Sequence, residues 1–424
     1  MFIKRVLFFI VIVLVVFVAL IYISVSGPVK ELKTYKIEGM EDLSDVNFKE
    51  HDSIQIAAST LYMGNGLKNL MQGGNYREAW ATPIKVPVVF LDTLKGGMKI
   101  IKEGGGKQTH SLRLKADNDV IYTLRSVDKD PKPLVPEFAR TLGIENIVID
   151  GVSAQHPYAA IAVAALAEEI GVLHTNPQIV FVPEQSLLDK YNKKYGNRLY
   201  LLEYETKGKT NWTTYNDVDE IIDTDNLQKL KMKHGNRVFI DKRALVKARL
   251  FDLLIGDWDR HAKQWGWVVQ KEDDKYHVIP LPGDRDNAFF KINGLVPTII
   301  SNQNIKPELR SFLKEIDYLP GLVLPFDVYF LQDVPLEIFL EEAEFIQQQL
   351  TNETIDKALK VWPPSFYDLD GKEIATKIKI RRNDLKDYAK RFKEVLDEKE
   401  VLQEPLKGSE DVELSENLIK CFDC

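Results

Sequence analysis

Cysteine is almost missing from this chain of 424 residues: there are two, Cys421 and Cys424, both in a polar C-terminal tail. Two such ligands are half of a zinc site, and no histidine nearby completes it. The pair therefore reads as incidental to the tail, with a surface disulfide or an intermolecular contact as the alternatives. No cysteine lies near the apolar N-terminal stretch, which excludes a bacterial lipoprotein anchor. Long basic runs are also missing from the soluble part. With a net charge of -7 and a pI near 5.7, this argues against nucleic acid as a partner, because phosphate binding depends on clustered Lys and Arg. Internal repeats and low-complexity segments are absent too.

One long hydrophobic run is present. Val6 to Val25 carries no charge, and its twenty residues just suffice for a helix across a hydrocarbon core of about 30 Å. Lys4 and Arg5 precede it, so the positive-inside bias keeps the short N-terminus in the cytoplasm and sends the remainder across the inner membrane into the periplasm. The expectation is an uncleaved, single-pass anchor over 1–28. A cleaved signal peptide is the alternative, since Ser24-Val25-Ser26 offers a small-x-small site. The other residues have ordinary globular composition, 45% hydrophobic and 28% charged over the whole chain, enough for a sizeable core. The length suits two or three average domains, or one large two-lobed unit with additions.

The most informative stretch runs from Leu250 to Gln264 and resumes at Pro282 to Phe289. Ala244, Ala248, Phe251 and Ile255, at helical spacing, predict a helix that buries one face and stops at Gly256. Asp257, Asp259, Arg260, His261 and Gln264 follow at once; Asp284 and Asp286 come later, and Trp258, Trp265, Trp267, Phe289 and Phe290 flank them. Clustered carboxylates in apolar surroundings are costly unless they are paired or bind a metal. Two readings follow: an ion site, catalytic or structural, or a knot of Asp–Arg pairs through Arg260 and Arg285.

The block Ile255-Gly-Asp257-Trp-Asp259-Arg-His261-x-x-Gln264, followed by Asp284-Arg-Asp286-x-x-Phe289, resembles the catalytic and metal-binding loops of atypical kinases of the HipA, CotH and phosphoinositide-kinase type. It is closer still to kinase-like regions of Bacteroidetes envelope proteins. The resemblance spans approximately residues 70–400. It implies an α+β, two-lobed protein-kinase-like fold: a lead-in over 29–72, a β-rich first lobe over 73–206, a helical second lobe over 207–400 and a polar tail over 401–424. The implied activity is that of a membrane-anchored phosphotransferase using ATP and magnesium on an unknown protein or small-molecule acceptor. A catalytically inactive envelope binding module, or a nucleotidyl transferase on the same fold, are the alternatives.

The resemblance also assigns residues. Strands at 98–103, 110–116 and 120–127 enclose a loop, Gly104-Gly105-Gly106-Lys-Gln108, whose backbone could lie over phosphates because glycine permits close approach. Arg125 stands where kinases place a phosphate-holding Lys, with Lys129 as the fallback and a plain surface Arg as the bland reading. No acid to pair with Arg125 can be placed. Backbone groups near Glu203 would meet an adenine ring. Asp259 is the base or orienting carboxylate for the acceptor hydroxyl, with Asp257 or a capping role for Asp259 as alternatives. His261 would be architectural, linking its loop to the second acidic block. Gln264 occupies the place of a metal-binding Asn, one methylene longer, and Asp284 is the main magnesium ligand, with Asp286 as substitute or bridge to a second ion.

Pattern alone places the remaining elements. An edge strand is predicted over 83–91, a helix from 156 to 170, and strands at 178–183 and 198–205. Residues 207–238 read as a polar excursion and 287–318 as an irregular segment. Helices are predicted over 336–350, 354–361 and 372–398, the basic run Lys377 to Arg382 being a solvated helix face.

Overall fold

The computed structural model describes residues 2–25, 36–40, 43, 46–104, 109–129, 135–402 and 406. Gly105, Gly106, Gln108, Cys421 and Cys424 lie outside them. Helix α1 (Phe2–Val25) is the apolar run, the one helix among the described residues long and apolar enough to cross a membrane.

The lead-in is more ordered than its weak pattern predicts. Strands β1 (Lys36–Ile37), β2 (Ser53–Ala57) and β3 (Ile84–Pro87) form an antiparallel sheet in that order. Helices α2 (Gly66–Gln72) and α3 (Arg77–Ala81) lie between β2 and β3. The edge position of β3 suits its proline, Pro87, which cannot donate to a second neighbour.

A five-stranded antiparallel sheet follows, built from β4 (Met98–Gly104), β5 (Ser111–Ala116), β6 (Ile121–Ser126), β7 (Gln178–Val182) and β8 (Arg198–Tyr204), in the order β4-β5-β6-β8-β7. Helices α4 (Glu137–Thr141), α5 (Glu145–Gly151) and α6 (Ala159–Glu169) connect β6 to β7, and α7 (Asn192–Tyr195) precedes β8. Alternation divides the sheet. Leu112, Leu114, Leu124, Tyr200 and Leu202 bury one face as a core of their own. Arg113, Thr123, Arg125 and Glu203 belong to the opposite, polar face, Thr123 lying directly across from Glu203.

The polar stretch after residue 207 is not an excursion, and the second half is not helical throughout. Strands β9 (Val218–Asp223), β10 (Val238–Ile240), β11 (Trp265–Glu272) and β12 (Lys275–Pro282) make a third, four-stranded sheet, order β10-β12-β11-β9, with helix α8 (Thr224–His234) between β9 and β10. The aromatic run of β11 reads from sequence as flanking the acidic motif; in the fold Trp265 and Trp267 are core, Trp265 stacking on Phe326 at 4.8 Å.

Helix α9 (Lys242–Ile255) starts where the Asp241 side chain accepts from Ala244 N at 2.8 Å. It buries more than the predicted face: every residue from Ala248 to Ile255 is buried. It ends at Gly256 in the left-handed region (φ 69°), where glycine lacks the usual steric penalty. The chain continues through α10 (Leu295–Ile300), α11 (Pro325–Leu331), α12 (Leu336–Gln349), α13 (Asn352–Leu359), α14 (Pro364–Phe366), α15 (Lys372–Asn383) and α16 (Leu385–Glu398). The basic run on α15 is solvated only in part. Arg381 is buried and donates to Leu253 O and Leu313 O, both at 2.8 Å, giving a last-turn carbonyl of α9 a second donor beside the Gly256 N–H.

Candidate functional site

The two acidic blocks meet because the residues separating them are a hairpin. Gln264 immediately precedes β11 and Gly283 immediately follows β12, and Gly283 N donates to Gln264 O at 2.9 Å. The chain leaving the five-stranded sheet after β8 presses on the base of this hairpin. A Cβ at Gly266 would come within 2.4 Å of the Thr206 carbonyl oxygen, so only glycine fits there.

A cleft of about 430 Å³ opens between the hairpin base and the polar face of the five-stranded sheet. Its lining includes Gly104, Arg113, Arg125, Glu203, Gln264 and Asp284. Arg125 Nη2 lies 3.0 Å from Glu203 Oε2, and Nη1 pairs with Asp284. Lys129 Nζ lies 2.6 Å from Asp286 Oδ2. Arg125 is therefore no surface residue, and Lys129 stands beside it. Both cations tie the five-stranded sheet to the segment after the hairpin. Burial works against the Arg125 charge, but Glu203, Asp286 and Glu205 raise its pKa above the ordinary value. Burial likewise pushes the Asp286 carboxyl up, yet Lys129 and Arg125 outweigh it and leave it below the usual range.

Glu203 supplies the acid that the sequence could not place opposite Arg125. Its carboxylate also accepts from Thr175 Oγ1 at 2.7 Å. The neighbouring backbone is already engaged: Tyr204 N donates to Thr175 O and Glu205 N to Ile121 O, at 2.9 and 3.0 Å. The residue therefore enters the cleft through its side chain, and these two N–H groups are not available to an adenine.

Asp259 sits at the mouth of the loop, where Asn287 Nδ2 donates to it at 3.3 Å and His261 Nε2 lies 3.6 Å away. Burial raises the Asp259 carboxyl, Asp286 adding to the effect and His261 opposing it. His261 does not make the expected link to the second block. It caps the following turn, Nδ1 accepting from Lys263 N at 3.2 Å, and is half exposed. The link is made by Asn287, and by Arg260, whose Nη1 donates to Gly283 O at 2.8 Å.

An Asp–Arg knot exists, and its acid is one the sequence analysis passed over. Asp252, on α9 and fully buried, accepts from Arg249, Arg260 and Arg285 at 3.0 to 3.1 Å. Its position among apolar helix residues hid it; the signal was an Asp at a spacing that falls on the packed face. Arg260 and Arg285 are thus used one layer below the cleft. Asp257 is left with Arg260 at 3.6 Å and one carboxylate oxygen without a hydrogen bond, and burial pushes its pKa up to about 8. Asp257 belongs to this buried layer, not to the cleft.

Among the described residues no three His, Cys, Asp or Glu side chains are placed to hold a metal ion by themselves. Magnesium asks for less, since it binds through one or two carboxylates and completes its shell with water and phosphate oxygen. Asp284 lines the cleft with a third of its side chain exposed, Asp286 is held in its ionised form, and Gln264 offers a neutral oxygen beside them. The donor chemistry fits.

No protein-family model matches the chain, and no curated protein matches it. Among solved structures it is similar to a Helicobacter pylori proinflammatory kinase, CtkA, at 16% identity and a TM-score of 0.38, over 71% of this chain and 96% of that one. A likeness this loose carries no weight by itself, and the functional reading rests on the cleft.

Proposed function

We propose that the chain is a membrane-anchored, atypical kinase-like phosphotransferase that uses Mg-ATP, with the five-stranded sheet and the helical part acting as the two lobes around the cleft. The observation that supports it is the pairing of two cations from the β6 end of the five-stranded sheet with two carboxylates from the segment after the hairpin, Arg125 with Asp284 in the lining of the cleft and Lys129 with Asp286 next to it. Arg125 faces the place where phosphates would lie, with the Gly104 end of β4 also in the lining. Magnesium held by Asp284 and Asp286, with Gln264 beside them, would neutralise and position phosphate charge. Asp259, its carboxyl raised by burial and oriented by Asn287, accepts the proton of an acceptor hydroxyl as the oxygen attacks the γ-phosphorus and the bond to the β–γ bridging oxygen breaks, ADP leaving with its electron pair.

One observation favours the inactive binding module. Arg125 is paired with both Glu203 and Asp284, so in this arrangement the leading metal carboxylate is neutralised from within. The test is labelling of the full chain and its variants with γ- and α-labelled nucleotide, alongside calorimetric titration with Mg-ATP. Asp259→Ala should bind nucleotide like the parent and lose about 10²- to 10⁴-fold in transfer, as for removal of a general base. Asp284→Asn should weaken metal-dependent nucleotide binding far more than Asp257→Asn. A parent that binds nucleotide but labels nothing, with Asp259→Ala indistinguishable from it, would leave the binding module standing. Label from the α position alone would indicate nucleotidyl transfer.

A further inference from the structure

We infer that the surface around the end of α1 is a membrane-contact face, so that the folded part sits against the lipid interface and does not hang from a linker. This rests on the reading of α1 as a membrane anchor. The last turn of α1 is fastened to three places in the fold. Tyr22 OH donates to Leu142 O at 2.6 Å, Gln72 Nε2 on α2 to Ser24 Oγ at 2.9 Å, and Asn146 Nδ2 on α5 to Val25 O at 2.9 Å. Ser24 and Val25 are buried, while the apolar length before them lies exposed.

Outward-facing apolar side chains surround that fastening. Leu142 is the residue that receives Tyr22, and Leu70 lies on α2 two residues before Gln72; both are more than half exposed. Helix α10 comes up against the end of α2 so closely that a Cβ at Gly294 would lie 2.2 Å from Gly73 N. It presents Leu295, Ile299 and Ile300 to the outside. From Ile292 to Ile305 there is no charged residue, in a chain that is 28% charged. The polar members of that segment are Asn, Thr, Ser and Gln, which can hydrogen-bond headgroups without carrying charge into the interface. Exposed apolar surface of this kind needs an occupant. Lipid is the one that the structure points to: a helix whose apolar length just matches the hydrocarbon core emerges at headgroup level, and whatever clasps its last turn lies at that level too. Tyr22 suits the same position, since its ring and hydroxyl favour the boundary between apolar and polar phases.

The test uses the full chain with Cys421 and Cys424 replaced by serine, reconstituted in phosphatidylcholine vesicles. Single cysteines at Leu14, Leu70, Ile299 or Phe239 carry an environment-sensitive fluorophore, and doxyl-labelled lipid serves as the quencher. Phe239 is the control, an exposed aromatic on edge strand β10. Leu70→Cys and Ile299→Cys labels should emit blue-shifted and be quenched several-fold more than Phe239→Cys, and Leu14→Cys should be quenched strongly. If Leu14 is quenched while Leu70 and Ile299 behave like Phe239, the anchor stands and the contact face is wrong. A blue shift at Ile299 without lipid quenching means that protein covers the face, which also overturns the proposal. An unquenched Leu14 removes the anchor reading and this inference with it.

Discussion

Asp252 shows how one side chain decides what its neighbours are free to do. Burial pushes its carboxyl up, but Arg260, Arg285 and Arg249 outweigh that and hold it below the usual range. A depressed carboxylate stabilises the fold above its ordinary pKa, and that contribution is lost as the pH falls through the folded value, here below about 4. Asp252→Asn would leave the buried Arg260 and Arg285 short of their counter-ion, while Arg249 keeps Asp327 at 2.6 Å, and should cost about 3–5 kcal/mol in denaturant unfolding at pH 7; a loss under about 1 kcal/mol would mean that solvent relieves the knot. Asp257 has the opposite sign. Its pKa is raised to about 8, so its contribution is complete below the unfolded value near 4 and is lost as the pH rises through 8. The parent should therefore lose stability between pH 5 and pH 8.5, and Asp257→Asn should flatten that loss. Identical slopes for parent and variant would show that Asp257 is ionised in the folded protein throughout.

At the scale of elements, helix α9 and the β11–β12 hairpin make the site. The helix is a buried rod that delivers Asp252 to the knot and stops at Gly256, releasing the acidic loop at a fixed place; the hairpin returns the chain to the same place. Phe289 N donates to Ile255 O at 2.9 Å, which clamps the far end of the second block onto the helix end. Gly256→Ala would add a Cβ in a left-handed conformation, a penalty of about 1–2 kcal/mol, and that Cβ would meet Phe312 Cδ2 at 2.6 Å. The melting temperature should fall accordingly. Nucleotide affinity should fall with it, because Gln264 hangs from that cap, and transfer should fall further because Asp259 does too. A variant with the parent's melting temperature and affinity would show that the loop is positioned by Arg260 alone.

At the scale of the whole molecule, the arrangement joins a cleft to an apolar helix through a three-stranded module and the clasp around Ser24 and Val25. Lys4 and Arg5, in the first turn of α1 ahead of its charge-free length, predict that the folded part lies outside the cytoplasm. An alkaline phosphatase fused after residue 424 should therefore be active in a bacterial host. An inactive fusion would put the cleft in the cytoplasm, where ATP is plentiful, and would strengthen the enzyme reading over the binding module. Placement in the periplasm raises the opposite question, because a donor nucleotide is scarce there.

Local pattern determined much of this protein by itself. The charge-free run of α1, the alternating strands β4 to β6, the stop at Gly256 and the helices from residue 336 on all show in short windows, because each depends on neighbours one to four residues away. Charge spacing also located both acidic blocks. The tertiary structure alone decided their meaning. Strand β2 shows only the alternation of Ile54 and Ile56, too brief to read, and becomes a strand because β1 and β3 pair with it. That Glu203 answers Arg125 follows from the register of β6 against β8, and that Arg260 and Arg285 spend their charge on Asp252 follows from the burial of α9. Ion pairs between groups far apart in the chain carry no periodic signature. Their partners are fixed by which faces the sheets and helices bury, and that is settled only when the whole chain packs.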